Sequence, residues 1–186
     1  MVKLIALNGA TCSGKTTVCK SLANYDDEIW HLSLDNFYKD RREYPDLNGW
    51  TNLEHPDNFR YSDLEACLIG AKNGTPTGYN GYNVKSGACD LLMDFPTGNI
   101  IIIEGLYVVY QEAVRRMFDL TIFLEIDEKS QRKRWSSRER KDISYFDQVV
   151  LPMQRTYLCP LKESVDFVID GTTPLPQIVR RIKNLI

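Results

Sequence analysis

The sequence is poor in the residues that build disulfide frameworks and metal centres. Only two histidines and five cysteines stand among its 186 residues. Cys12, Cys19, Cys67, Cys89 and Cys159 are scattered, odd in number and form no C-x-x-C pair. That pattern excludes a disulfide scaffold or zinc site and fits reduced thiols in a cytoplasmic protein. No apolar run approaches the ~18 residues of a membrane span. The N-terminal run, residues 2–7, is short and passes straight into a glycine-rich turn, so no signal peptide is expected. A formal charge of −2 gives no global attraction to nucleic acid or an anionic membrane. There is no internal repeat and no low-complexity block. A guanine-reading N-K-x-D is missing, which argues against a small GTPase-like switch. The D-x-x-G string at Asp46–Gly49 follows no hydrophobic strand and reads as accidental.

What is present begins at Gly9. Gly9-Ala10-Thr11-Cys12-Ser13-Gly14-Lys15-Thr16 matches G-x-x-x-x-G-K-[ST] at every fixed position. An apolar run precedes it and a helical pattern follows from Thr17. Strand, glycine turn and helix make a phosphate cradle, because backbone N–H groups curl around phosphate oxygens and the helix adds its positive end. Gly9 to Thr17 are therefore expected to bind a nucleoside triphosphate. Lys15 is placed to reach its β- and γ-phosphates and Thr16 to offer a hydroxyl to Mg²⁺. Cys12 is read as a side chain that fills the loop.

Apolar runs alternate with helical patterns along one domain, 1–186, which predicts an α/β fold with a mostly parallel sheet. Strands are expected over 2–7, 29–33, 100–103, 120–126 and 167–169. Helices are expected over 15–23, 61–72 (capped by Ser62 and closed by Gly74), 111–117, 129–138, 146–158 and 175–185. Two segments, 39–60 and 76–97, resist regular assignment. Long loops in a compact domain are usually functional, so both are read as walls of an acceptor pocket beside the triphosphate.

Three acids stand where such a pocket needs them. Asp35 follows the second strand, where a carboxylate can take the proton of an attacking hydroxyl; the same residue suits the cap of a short helix, and spacing leaves both open. Glu54 is either a bridge to two ribose hydroxyls or a solvated surface acid. Glu104 ends the run Ile100 to Ile103, and a carboxylate buried there would be costly without a cation to serve. His55, before Pro56, has no second ligand at metal-binding spacing and reads as a structural hydrogen-bonder. Seven basic residues between Lys129 and Lys141 suggest a lid over 129–142. Part of that lid is expected to be solvated and part to stabilise the charge of a transferring phosphate. Interrupting acids argue against a nucleic-acid patch.

Taken together, these residues resemble the uridine kinase and nicotinamide riboside kinase family of P-loop nucleoside kinases. Asp35-Asn36-Phe37-Tyr38 is similar to the family's D-[SD]-F-[YF], Asn52 to Phe59 to its N-F-D-H-P-D-x-F, and Glu104-Gly105-Leu106 to its E-G-[IFL]. Pro152, Pro160, Asp166 and Ile169 repeat the uridine kinase C-terminal spacing. Tyr145 to Met153 and Lys133 to Arg138 look closer to nicotinamide riboside kinases. The resemblance implies a P-loop NTPase-type three-layer αβα fold with a short helical lid. It implies ATP and Mg²⁺ as cofactors, a small nucleoside-type acceptor, no nucleic-acid or membrane partner, and leaves homo-oligomerisation open. Asp35 would be the catalytic base, assisted by Lys15, Arg134 and Arg138. Tyr38, Glu54, His55, Tyr79, Tyr82 and Arg138 would meet the acceptor, and Thr16 and Glu104 the metal. Three departures stand out: Tyr79 to Lys85 carries no base-reading histidine, Leu53 replaces an aromatic, and the uridine kinase lid is longer and richer in R-G-R-D than Arg138-Glu139-Arg140-Lys141-Asp142. A uridine/cytidine kinase-like enzyme is the leading expectation. The alternatives are a nicotinamide riboside kinase and an ATP-binding protein with an altered acceptor site.

Overall fold

The computed structural model describes residues 2–75, 77–137 and 142–186. In chain order its elements are β1 (Lys3–Gly9), α1 (Lys15–Ala23), β2 (Ile29–Ser33), β3 (Asp46–Leu47), β4 (Trp50–Thr51), α2 (Tyr61–Lys72), β5 (Gly78–Asn83), β6 (Ala88–Asp94), β7 (Ile100–Gly105), α3 (Glu112–Arg115), β8 (Leu120–Glu125), α4 (Glu128–Ser136), α5 (Ile143–Tyr145), α6 (Leu151–Met153), β9 (Phe167–Asp170) and α7 (Leu175–Lys183). The five expected strands form one parallel sheet in the order β2-β7-β1-β8-β9.

Side chains alternate across a strand, so a strand apolar at both parities must be covered on both faces. Leu4, Ala6, Ile101, Ile103 and Phe123 pack on one side with Leu64 and Leu68 of α2. Ile5, Leu7, Ile102, Ile122 and Leu124 pack on the other with Val18 and Leu22 of α1 and Ile178 and Ile182 of α7. These are the three layers expected. β1, β2, β7 and β8 run parallel, so their carboxyl ends open on one edge of the sheet. That edge receives the phosphate loop, Ser33, Glu104 and Glu125.

The departures lie outside the sheet. Residues 39–60 and 76–97 are not irregular throughout. Asn48 (φ 52°) and Gly49 (φ 77°) turn β3 back on β4, and β5 pairs with β6 as a bulged antiparallel hairpin. Asn-Gly is a strong hairpin signal because both central residues must take positive φ. Ser62 is not the cap of α2; Arg60 holds that position without a side-chain bond. The helix expected over 111–117 contracts to α3. Pro152 lies inside a helical run where its missing N–H breaks the ladder, and wider π-type turns at Phe146–Val150 and Gln154–Leu158 flank α6.

Gly9 joins the sheet to the loop at φ 154°, where an added Cβ would stand 2.5 Å from the Leu124 carbonyl oxygen. Gly9→Ala must therefore push β1 from β8. It should lower stability by about 1–3 kcal/mol, read as an earlier urea midpoint; an unchanged midpoint would contradict this packing.

Candidate active site

The loop from Gly9 to Gly14 has its carbonyls tied off from outside. Ala10 O accepts from Lys15 Nζ at 3.0 Å and from the Ser13 N–H at 3.1 Å. Thr11 O accepts from Gln131 Nε2 at 3.0 Å. Cys12 O and Ser13 O accept from Arg134 Nη1 at 3.1 and 3.0 Å. A trans peptide sets C=O and the following N–H on opposite sides, so these bonds leave the N–H groups of Thr11, Cys12 and Gly14 facing the other way. Cys12 takes φ 63° and buries its side chain with Trp135, Phe146 and Val150, which anchors the loop to α4 and the helical run behind it. α1 carries no acid in its first turn, so its positive end is not neutralised. The result is an anion cradle.

Beside it a cleft of about 280 Å³ is lined by the loop, Lys15, Thr16, Asp35, Tyr38, Leu53, Glu54, Glu104 and Leu106. Glu104 ends β7, and its Oε1 accepts the Thr16 hydroxyl at 2.8 Å. Burial works to raise its pKa, but the His31 imidazole, the Lys15 ammonium and the Thr16 hydroxyl outweigh it and hold the carboxyl below its ordinary range. Among the described residues no cluster of three or more His, Cys, Asp or Glu could cage a metal. One hydroxyl and one carboxylate do suit a cation that keeps waters and takes phosphate oxygens as its other ligands.

Asp35 is not a helix cap. Ser33 Oγ accepts the Asp35 N–H at 3.2 Å and caps the short turn Leu34–Phe37, which leaves the Asp35 carboxylate to the cleft. The turn is stitched to the Glu54 segment. The Arg60 N–H donates to Phe37 O at 2.8 Å, the Lys39 N–H to Asn58 O at 2.7 Å and Tyr38 Oη to Leu53 O at 3.2 Å. The Tyr38 and Phe59 rings stack at 4.4 Å. Asn52 is buried and accepts the Glu54 N–H at 3.0 Å, while Asn58 Nδ2 donates to Asn52 O at 2.8 Å. Arg60 also donates to Tyr38 O at 3.1 Å and pairs with Asp63. It organises both acid-bearing segments, and nothing in the sequence pattern marked it.

Other expected residues lie elsewhere. Tyr79 is buried, stacked on Phe37 at 4.6 Å with its hydroxyl accepting from Asn36 at 3.2 Å, so it is neither a base platform nor a surface tyrosine. Tyr82 packs on Tyr38 at 5.5 Å, outside the lining of the cleft. His55 caps a turn by accepting the Asp57 N–H at 3.2 Å and meets the Tyr157 ring edge-on at 5.1 Å. Arg134 does not line the acid-bearing cleft. Besides the loop carbonyls it binds Gly171 O at 3.0 Å, and it lines a second pocket of about 370 Å³ with Gly14, Thr17, Thr173, Leu175 and Ile178. That pocket was not foreseen; its signal is the Gly171-to-Leu175 loop after β9. The first part of the expected lid, α4, packs on the phosphate loop through Gln131 and Trp135. Arg138 lies outside the described residues.

The Asp35 and Glu104 carboxyls shift in opposite directions. Burial in the cleft, then the Glu104 charge, raises the Asp35 carboxyl from its ordinary 3.8 to about 6, against the pull of Lys15. Between pH 4 and 6 the folded chain thus holds a proton that the unfolded chain has released, and stability falls as pH rises through that window. Asp35→Asn removes this cost. Its melting temperature should exceed the parent's above pH 6, with the gap closing below pH 4; a gap independent of pH would contradict the assignment.

The chain is similar to known proteins over most of its length. Residues 4–172 match the model of the phosphoribulokinase / uridine kinase family. A uridine kinase of Borreliella burgdorferi is 30% identical over 91% of this chain and 86% of its own. Uridine-cytidine kinase B of Dictyostelium discoideum is 27% identical over 97% and 81%. Among solved structures, a possible uridine kinase from Bacillus stearothermophilus superposes with a TM-score of 0.68 at 15% identity, covering 91% of this chain and 89% of its own. Phosphoribulokinase from Rhodobacter spheroides gives 0.60 at 12% identity over 94% and 74%. The structural likenesses speak for the fold and the family match for descent: this chain belongs to the phosphoribulokinase / uridine kinase family.

Proposed function

We propose that the protein is an ATP-dependent nucleoside kinase that moves the γ-phosphoryl group to a ribose 5′-hydroxyl, with uridine or cytidine as acceptor. One observation carries this reading: a single cleft brings the phosphate loop together with Asp35, Glu54 and Glu104. Asp35 takes the 5′-hydroxyl proton as the oxygen attacks the γ-phosphorus and ADP departs. A carboxyl near 6 is a stronger base than an ordinary aspartate yet still ionised at neutral pH. Lys15 must leave Ala10 O to meet the triphosphate, where it offsets the charge on the β- and γ-phosphates. Glu54 accepts from the ribose hydroxyls. Thr16 and Glu104 would hold Mg²⁺, whose charge helps neutralise the phosphates.

The second pocket, on the outer side of the phosphate loop, suits the donor's purine, with Arg134 both clamping the loop and forming one wall. On the acceptor side, a pocket of about 360 Å³ shares Leu53 with the cleft and is lined by Arg41, Trp50, Asp142 and Tyr145. We assign the acceptor's base there and not against Tyr79. Tyr145 comes from the segment that looks closer to nicotinamide riboside kinases, and its place in this pocket favours nicotinamide riboside as the second reading. Arg138 stays a candidate for closing over the phosphates. No described helix is long and apolar enough to cross a membrane, and a cytoplasmic location is part of the proposal.

The two acids separate by kinetics. Asp35→Asn should lower kcat by ~10²–10⁴-fold with ATP affinity by calorimetry unchanged. Glu54→Gln should raise the acceptor KM about tenfold, the loss of a charge-assisted bond, and leave the ATP KM alone. Near-parent turnover in the first variant removes Asp35 as base, and equal KM changes in the second remove Glu54 from the acceptor.

A further inference from the structure

Of the chain's two histidines, His31 enters the reading above only through its pull on the Glu104 carboxyl. It lies on β2, opposite Ile102 of β7, with Ser33 opposite Glu104. Alternation places it on the same sheet face as Ile29, the apolar face that α1 covers. A hydrocarbon side chain would suit that position. Instead Nε2 is buried without a hydrogen-bond partner and stands 3.6 Å from Glu104 Oε1. At that separation the pair is just beyond hydrogen-bond length, and a small closing movement would satisfy both buried groups. The same Oε1 accepts the Thr16 hydroxyl at 2.8 Å. One carboxylate oxygen is thus approached from β2 and from α1, and Oε2 has neither of these partners.

We propose that His31 is a positioning residue for Glu104. With its proton on Nε2 it closes onto Oε1 and, together with Thr16, fixes the orientation of the carboxylate toward the cleft. A carboxylate held by two donors need not be ordered when the nucleotide and its cation arrive. Outer partners of metal ligands act in this way and commonly alter metal affinity by 10–100-fold. The proposal rests on the reading of Glu104 as the acid that serves Mg²⁺.

The test follows binding of a fluorescent ATP analogue as Mg²⁺ is added without acceptor, in the parent protein, His31→Gln and His31→Phe. Glutamine keeps an N–H donor; phenylalanine keeps a ring without one. His31→Phe should raise the Mg²⁺ concentration at half-effect about tenfold, and His31→Gln should stay within about threefold. Metal-free nucleotide binding should be equal in all three. An unchanged Mg²⁺ dependence in His31→Phe, or equal shifts in both variants, overturns the positioning role while leaving Glu104 in place. A parent protein indifferent to Mg²⁺ overturns both assignments. Long-range ¹H–¹⁵N correlation on the parent protein adds a reading that needs no variant: a proton on Nε2 is expected, and a proton on Nδ1 alone overturns the proposal.

Discussion

The constraint on which the rest depends is the outward tethering of the phosphate-loop carbonyls. Thr11, Cys12 and Ser13 each hand a carbonyl to Gln131 or Arg134 of α4, and Ala10 O accepts from Lys15 until a triphosphate draws that ammonium away. A free glycine-rich loop would pay conformational entropy each time it closed on an anion. Here the peptide planes are already set. The same tethering joins α4 and the Gly171 loop to the cradle, so the three form one structure.

The second constraint is the joining of Asp35 and Glu54, which come from separate segments of the chain. Arg60, Asn52 and the stacked Tyr38–Phe59 pair bind the segments to each other. Charge then divides the labour. Glu104 is held ionised by its donors while Asp35 is pushed up to about 6. Two carboxylates with separated pKa values suit two tasks, a permanent anion for a cation and a base for a proton.

Much of this was legible in the sequence because it is local. The five strands are short apolar runs, the loop is a contiguous motif, and Asp35 and Glu104 stand at strand ends that a parallel sheet must align. The rest depends on contacts between distant residues. The β5–β6 hairpin is glycine- and asparagine-rich with a bulge at Gly81, so its alternation is weak. Asn48-Gly49 is a readable turn signal in a segment that otherwise lacks regular alternation. Tyr79 looks available until Phe37 stacks on it and buries it, and Arg134, on α4, spends its donors on the phosphate-loop carbonyls of Cys12 and Ser13 and on Gly171 O. His31 reads as an ordinary strand residue until β2 pairs with β7 and brings it to Glu104.

In the proposed reaction this cleft moves the γ-phosphoryl group of ATP to a ribose 5′-hydroxyl and releases ADP. The most direct measurement incubates the protein with ATP–Mg²⁺ and, separately, uridine, cytidine, nicotinamide riboside, adenosine or pantothenate, following ADP release and the mass of the product. Uridine or cytidine should accelerate ADP release and gain one phosphate at the 5′ position. ATP hydrolysis unaffected by any nucleoside, or stimulation by pantothenate alone, would contradict the proposed reaction.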